Sequence, residues 1–383
     1  MPDSAPAQQP LNYWDYLKLD QLLALQSGKE SDESALIDDE LLFIITHQTY
    51  ELWFKQVARE LRGAIRYVGE QPIAEEEVPH VVHHLRRVVA ILKLAVEQFS
   101  VMETLTPQDF LSFRNKLVPA SGFQSFQMRE LELLLGLPGE DRPQYGDVDP
   151  LHHIRKYGQS SASGMAAIAQ VEATLRETAG GRDLRQGLVR WLSRTPIRGS
   201  TPDTPGDEAT VAAFLDDYHA TYCAHQAEQM RHLVAAELAP AAVLAPRFEA
   251  TSASARRFLF AEDLPEGTPA AERALRRRAR AGLLFVESYR HFPLLAWPRL
   301  LVDTCVELEQ QLVLWRNRHA RMVERIIGRR VGTGGSSGVD YLDETTRMRV
   351  FTDLWAVRTL LLPVHLLPSP GDPRRYGFAG ESP

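Results

Sequence analysis

The chain has 383 residues, of which 44% are hydrophobic and 24% charged, enough for one large domain with a sizeable core. Its net charge of -7 argues against a nucleic-acid surface, which needs a concentrated positive field. Its two cysteines, Cys223 and Cys305, can build neither a disulfide framework nor a thiolate metal site.

From the N-terminus, MPDSAPAQQP has neither the basic start nor the apolar run of a secretory signal, and no run of about 18 uncharged apolar residues follows anywhere. A soluble chain with a cytoplasmic address and no membrane partner is expected. From Asp38 to Val68 the apolar residues Leu41, Leu42, Ile45, Leu52, Val57, Leu61 and Ile65 recur at three and four, the period of a helix. The same period predicts helices over roughly 80–103, 107–116, 123–135, 164–178, 208–238, 271–291 and 298–328, and no alternating strand pattern competes. The fold class expected is all-α, a large helical bundle. Proline, glycine and acidic clusters at 140–150, 180–183, 194–208 and 264–269 read as loops, with 194–208 the best candidate for a mobile insertion. The organisation expected is a disordered start over 1–10, a single helical domain over 11–367 and a C-terminal tail over 368–383 trailing across the surface. The basic run from Arg276 to Arg280 reads as a solvated helix face.

Candidate chemistry lies in a few segments. His80 and His84 stand at i,i+4 with His83 beside them, a spacing that suits zinc but implies no third ligand; a solvated helix face is the plainer account. His47 in DDELLFIITHQTYELWFK has Phe43 one turn before it, so a ring and an imidazole project together, as in a pocket wall or in an ordinary helix contact. His319 stands near the end of a long helix, where a neutral imidazole can ligate haem iron or simply pack. Phe110 precedes Arg114 by one turn, and a guanidinium beside apolar rings can hold a carboxylate with two parallel hydrogen bonds; a snorkelling surface arginine is the alternative. The stretch 332–338, GTGGSSG, offers backbone amides and hydroxyls including Thr333. It lacks the ending of a phosphate loop and can equally be a flexible linker.

Taken together, HQTYELWFK at 47–55, FRNKLVPASGFQSFQMRELE at 113–132 and WRNRHARMVERIIG with GTGGSSGVDYL at 315–342 resemble the signature blocks of the tryptophan 2,3-dioxygenase family, in the family's order. The resemblance runs from YWDYLKLDQLLALQ at 13–26 to FTDLWAVRTLL at 351–361. It implies a helical bundle enclosing one haem b per subunit, with His319 as the axial ligand of the iron. It also implies His47 as the distal histidine facing the indole N–H, Arg114 on the substrate carboxylate and Thr333 on the ammonium group. Phe43 and Phe110 would wall the indole pocket, and Tyr13, Tyr16 and Leu17 would complete a neighbour's site in a homotetramer. The activity implied is insertion of both atoms of dioxygen into L-tryptophan, in tryptophan catabolism through kynurenine. Two positions depart from the commoner pattern: Phe110 where some members have tyrosine, and Phe99 where tryptophan is common, which raises the expectation of a different pocket volume. Relatives on this fold insert a single oxygen into tryptophan, a methylated tryptophan or tyrosine, so a monooxygenase is the alternative reading; a non-enzymatic haem sensor is the alternative of another class.

Overall fold

A computed structural model describes residues 12–69, 75–137, 139, 152–333 and 338–377. Short helices α1 (Tyr13–Leu17) and α2 (Leu19–Leu22) lead into α3 (Asp38–Gly69), α4 (Val78–Met102), α5 (Pro107–Phe113) and α6 (Phe126–Leu135). A second group comprises α7 (His152–Gly158), α8 (Ala162–Thr178), α9 (Leu184–Leu192), α10 (Asp207–Ala235), α11 (Ala241–Leu259) and α12 (Ala270–Ser288). The chain closes with α13 (Ala296–Ile327), α14 (Val339–Thr345) and α15 (Thr352–Ala356). Among the described residues the only bridge of strand type is an isolated one between Ile197 and Ser200, so the all-α expectation holds. No helix among them is long and apolar enough to cross a membrane.

The core forms where α4 lies between α3 and α13. Its buried face is Val81, Val82, Leu85, Val88, Leu92, Ala95 and Phe99, spaced at three and four, which puts them on one side of the helix. Each of the valines, leucines and the phenylalanine among them contributes about 1.5–3 kcal/mol by leaving water, and Ala95 about 0.8 kcal/mol. From α3, Phe54, Val57, Leu61 and Ala64 meet this face. The C-terminal segment is held to α13 by Glu309, a buried carboxylate that accepts the backbone N–H groups of Val350 and Phe351 and the indole N–H of Trp355.

Three expectations are corrected, and two helices are added to those expected. Helices α9 and α11 were not anticipated; α9 begins right after the glycine pair at 180–181, where Asp183 caps it by accepting from the Gln186 N–H. The 194–208 stretch is tied down: Ile197 is fully buried, and Arg278 donates to Asp207 and to the Ser200 carbonyl. The basic run is not a solvated face. Arg280 is buried between Asp263 and Asp353 with its guanidinium 4.1 Å from the Phe258 ring centre, and Arg276 pairs with Asp353. The tail does not trail as far as Gly377, because Tyr376 is buried against Phe285 and Phe292 and its hydroxyl donates to the Pro196 carbonyl. Residues 1–11, 140–150 and 334–337 lie outside the described residues.

Candidate active site

Helices α3, α5, α6 and α13 and the loop after α13 enclose an open-mouthed cavity with about 1200 Å³ of atom-free space, counting its solvent-filled mouth. Its wall includes Phe43, His47, Phe110, Arg114, His319 and Thr333, so residues more than 270 positions apart in sequence meet in one place. The face of α13 turned to it carries Trp315, Arg316, His319, Met322, Val323, Ile326 and Ile327, a helical stripe at three and four.

The aromatic wall is built one turn at a time. The Phe43 ring lies 4.0 Å from the His47 ring, 6.0 Å from Phe110 and 5.7 Å from Phe113, centre to centre. His47 Nδ1 is 2.7 Å from the Phe43 carbonyl. A carbonyl only accepts, so Nδ1 carries the proton and Nε2 is left as an acceptor toward the cavity. The ring looks into the open cavity, yet apolar mass on its other sides holds its pKa below the ordinary histidine range, against a smaller opposing effect of the Phe43 carbonyl.

Arg114 opens the short turn after α5, and its N–H bonds to the Phe110 carbonyl. Thr106 caps α5 by accepting the Asp109 N–H, with Pro107 in the first turn, the chemistry that starts a helix cleanly. Lys116, two residues on, pairs at 2.8 Å with buried Glu40 in the first turn of α3, fastening the Arg114 turn to the helix of Phe43 and His47. Arg114 Nη2 donates to the Val331 carbonyl at 2.5 Å, while its buried Nε meets no acceptor among the described residues. Thr333 Oγ1 donates to the Ala120 carbonyl at 2.7 Å. The loop closes at Gly338, where φ is +64° and an added Cβ would stand 2.7 Å from the Arg330 carbonyl oxygen; both facts require glycine.

His319 faces the same cavity from α13. Burial pushes its pKa down to about 4, and His47 is near enough that a charge there pushes it further. The ring is therefore neutral at pH 7, and among the described residues neither nitrogen has a hydrogen-bond partner. Its neighbours are the Trp315 ring at 5.1 Å and the Phe99 ring at 5.7 Å, the latter nearly parallel at 14°. Phe99, 1% exposed, packs behind His319 and does not line the cavity. The expected change of pocket volume at that position is corrected accordingly.

Tyr13, Tyr16 and Leu17 are not in this chain's own cavity. They lie on α1, where the two tyrosines are 69% and 73% exposed. The triplet His80, His83 and His84 makes no zinc face: His84 Nδ1 pairs with Glu60 at 2.7 Å and its ring sits where a Cβ on Gly63 would clash. Among the described residues no three or more His, Cys, Asp or Glu side chains converge to hold an ion.

Arg129, Arg316 and Trp315 line the cavity but were not singled out from the sequence. Trp315 and Arg316 stand one turn before His319, and that spacing was the available signal. Glu130, also on α6, turns away from the cavity to accept from Arg62, Gln170 and Thr174.

A helical shell presenting the imidazoles of His47 and His319 and the guanidiniums of Arg114, Arg129 and Arg316 to a shared, largely apolar cavity suits an oxidoreductase that carries a cofactor and grips a small carboxylate. Comparison narrows this class. A model of the family described as tryptophan 2,3-dioxygenase matches residues 5–361. The chain is 47% identical to tryptophan 2,3-dioxygenase 2 of Ralstonia nicotianae over 98% of this chain and 99% of that protein. It is 46% identical to tryptophan 2,3-dioxygenase of Sorangium cellulosum over 97% and 88%, and 35% identical to that of Alteromonas mediterranea over 97% and 98%. The chain belongs to the tryptophan 2,3-dioxygenase family.

Proposed function

We propose that this chain is a haem enzyme that adds both atoms of dioxygen across the C2–C3 bond of L-tryptophan's indole, giving N-formyl-L-kynurenine, in the cytoplasm. The observation that carries the reading is the convergence of His319, His47 and Arg114 on one cavity. The donor set fits haem b: a neutral imidazole on a rigid helix, with no hydrogen-bond partner among the described residues and backed by aromatic rings, would hold its iron. When bound, ferrous haem supplies the dioxygen chemistry.

The chain's own residues orient and select. Arg114 exchanges the Val331 carbonyl for the substrate carboxylate, which also satisfies its unpartnered Nε in a parallel pair of bonds. Thr333 Oγ keeps its bond to Ala120 and offers its lone pairs to the ammonium group. Phe43 and Phe110 wall the indole, and His47 Nε2 accepts the indole N–H, fixing the ring's rotation in the cavity. These contacts restrict the substrate to one pose before reaction. Phe110 has no hydroxyl to add, so the carboxylate relies on Arg114 alone among these residues. Tyr13, Tyr16 and Leu17 complete the site of a neighbouring subunit in a homotetramer, in keeping with their exposure on α1.

The test is the mass of the product formed from L-tryptophan and ¹⁸O₂ by reduced, haem-loaded protein. Two labelled atoms in N-formylkynurenine are expected; one labelled atom would overturn dioxygenation in favour of single-atom insertion.

A further inference from the structure

We propose that Arg129 and Arg316 form an anion subsite that binds the carboxylate side chains of the cofactor, an inference that rests on the haem reading above. Arg129 comes from α6 and Arg316 from α13, three residues before His319, and both line the cavity. They share one carboxylate. Glu132 stands 2.8 Å from Arg129 and 3.8 Å from Arg316, and the two arginine side chains are only 17% and 6% exposed.

Other elements do not cancel the excess charge. Glu309, also on α13, is occupied by the donors of Val350, Phe351 and Trp355. Arg349 adds a further positive charge beside Arg316 while donating to the Thr346 and Met348 carbonyls. Around Arg316, itself only 6% exposed, the described residues thus set three arginines against two carboxylates.

Hydrogen bonding gives the same sign. Arg129 Nε and Trp315 Nε1 are buried, belong to cavity-lining residues and meet no acceptor among the described residues. A buried positive charge and idle donors are costly until an anionic, acceptor-rich group arrives. The carboxylate of the substrate is already matched by Arg114, on a different element and with an idle Nε of its own. The remaining demand is for carboxylates that come with the cofactor, and haem b carries two as propionates.

The experiment compares binding of haem and of haem dimethyl ester, whose propionates are uncharged, to the haem-free full-length chain by Soret absorbance. The wild-type chain is expected to prefer haem by on the order of tenfold, the worth of a charge-assisted hydrogen bond to a carboxylate. In Arg129→Gln that preference should vanish through weaker haem binding with the ester unaffected, and Arg129→Lys should restore part of it. Equal affinity for both ligands in the wild type, or equal loss for both in Arg129→Gln, would overturn the subsite and leave haem binding standing. Failure of the wild type to bind either ligand would instead remove the haem reading itself, and the subsite with it.

Discussion

Arg114 differs from a generic surface cation because it has an idle donor in a cavity and a loop carbonyl as its present partner. Replacing it should therefore cost substrate recognition rather than folding. Arg114→Gln is expected to raise KM for tryptophan by roughly ten- to a hundredfold, since a hydrogen bond to a charged group contributes about 1.5–3 kcal/mol. Tryptamine, which has no carboxylate, should be handled alike by both proteins; a parallel loss for both compounds would count against the clamp. His319 carries a pH signature. Its folded pKa is about 4, against about 6.5 when unfolded, so the folded state binds the proton more weakly. The haem-free protein should accordingly lose stability as pH falls from about 6.5 to about 4 and lose no more from this group below that, up to about 3 kcal/mol in all. His319→Leu should lack that component. Urea midpoints near pH 7 and near pH 4.5 decide the matter, and identical pH dependence in the two proteins would place His319 in ordinary titration.

Among the elements, α13 bears the most. Glu309 on it satisfies three donors of the 350–355 segment, two of them backbone groups that have little alternative once buried. Glu309→Ala is expected to destabilise the fold by about 3 kcal/mol or more, read as a fall in denaturant midpoint, with Glu309→Gln milder because it keeps an acceptor. A midpoint unchanged by the alanine would mean that the segment is held elsewhere. The long helices α3, α4 and α13 were readable because each buries a face with apolar residues at three and four. Helix α9 was not, since Gly187 interrupts LRQGLVRWL and owes its place to close contact with Val68. Nor was α11, which has Pro246 inside it and few buried positions. The basic run on α12 was misjudged for a different reason. Its partners Asp207, Asp263 and Asp353 lie on other parts of the chain, and pairing across such separations leaves no local pattern. The same limit applied to the cavity. His47, Arg114 and His319 stood out through their immediate neighbours, whereas Arg316 had only its spacing from His319 to mark it and Arg129 gains meaning only from sharing Glu132 with it. Phe99 looked like a pocket residue until its ring lay flat behind His319.

For the molecule as a whole, exposed α1 is the feature a single chain leaves open. If its tyrosines serve a neighbour, two damaged chains should repair each other. Co-expressed Arg114→Ala and Tyr16→Ala chains are expected to form mixed oligomers with more activity than either variant alone, because an intact cavity can then meet an intact arm. Activity no higher than that of the parent variants would assign the arm to its own subunit or to no site at all. The Glu309 ties fasten the 350–355 segment to α13, the helix that also carries His319. A chain cut short before residue 350 would therefore keep the cavity side chains but lose the brace on the helix that presents one of them, leaving a fragment more open to proteolysis than the full-length protein.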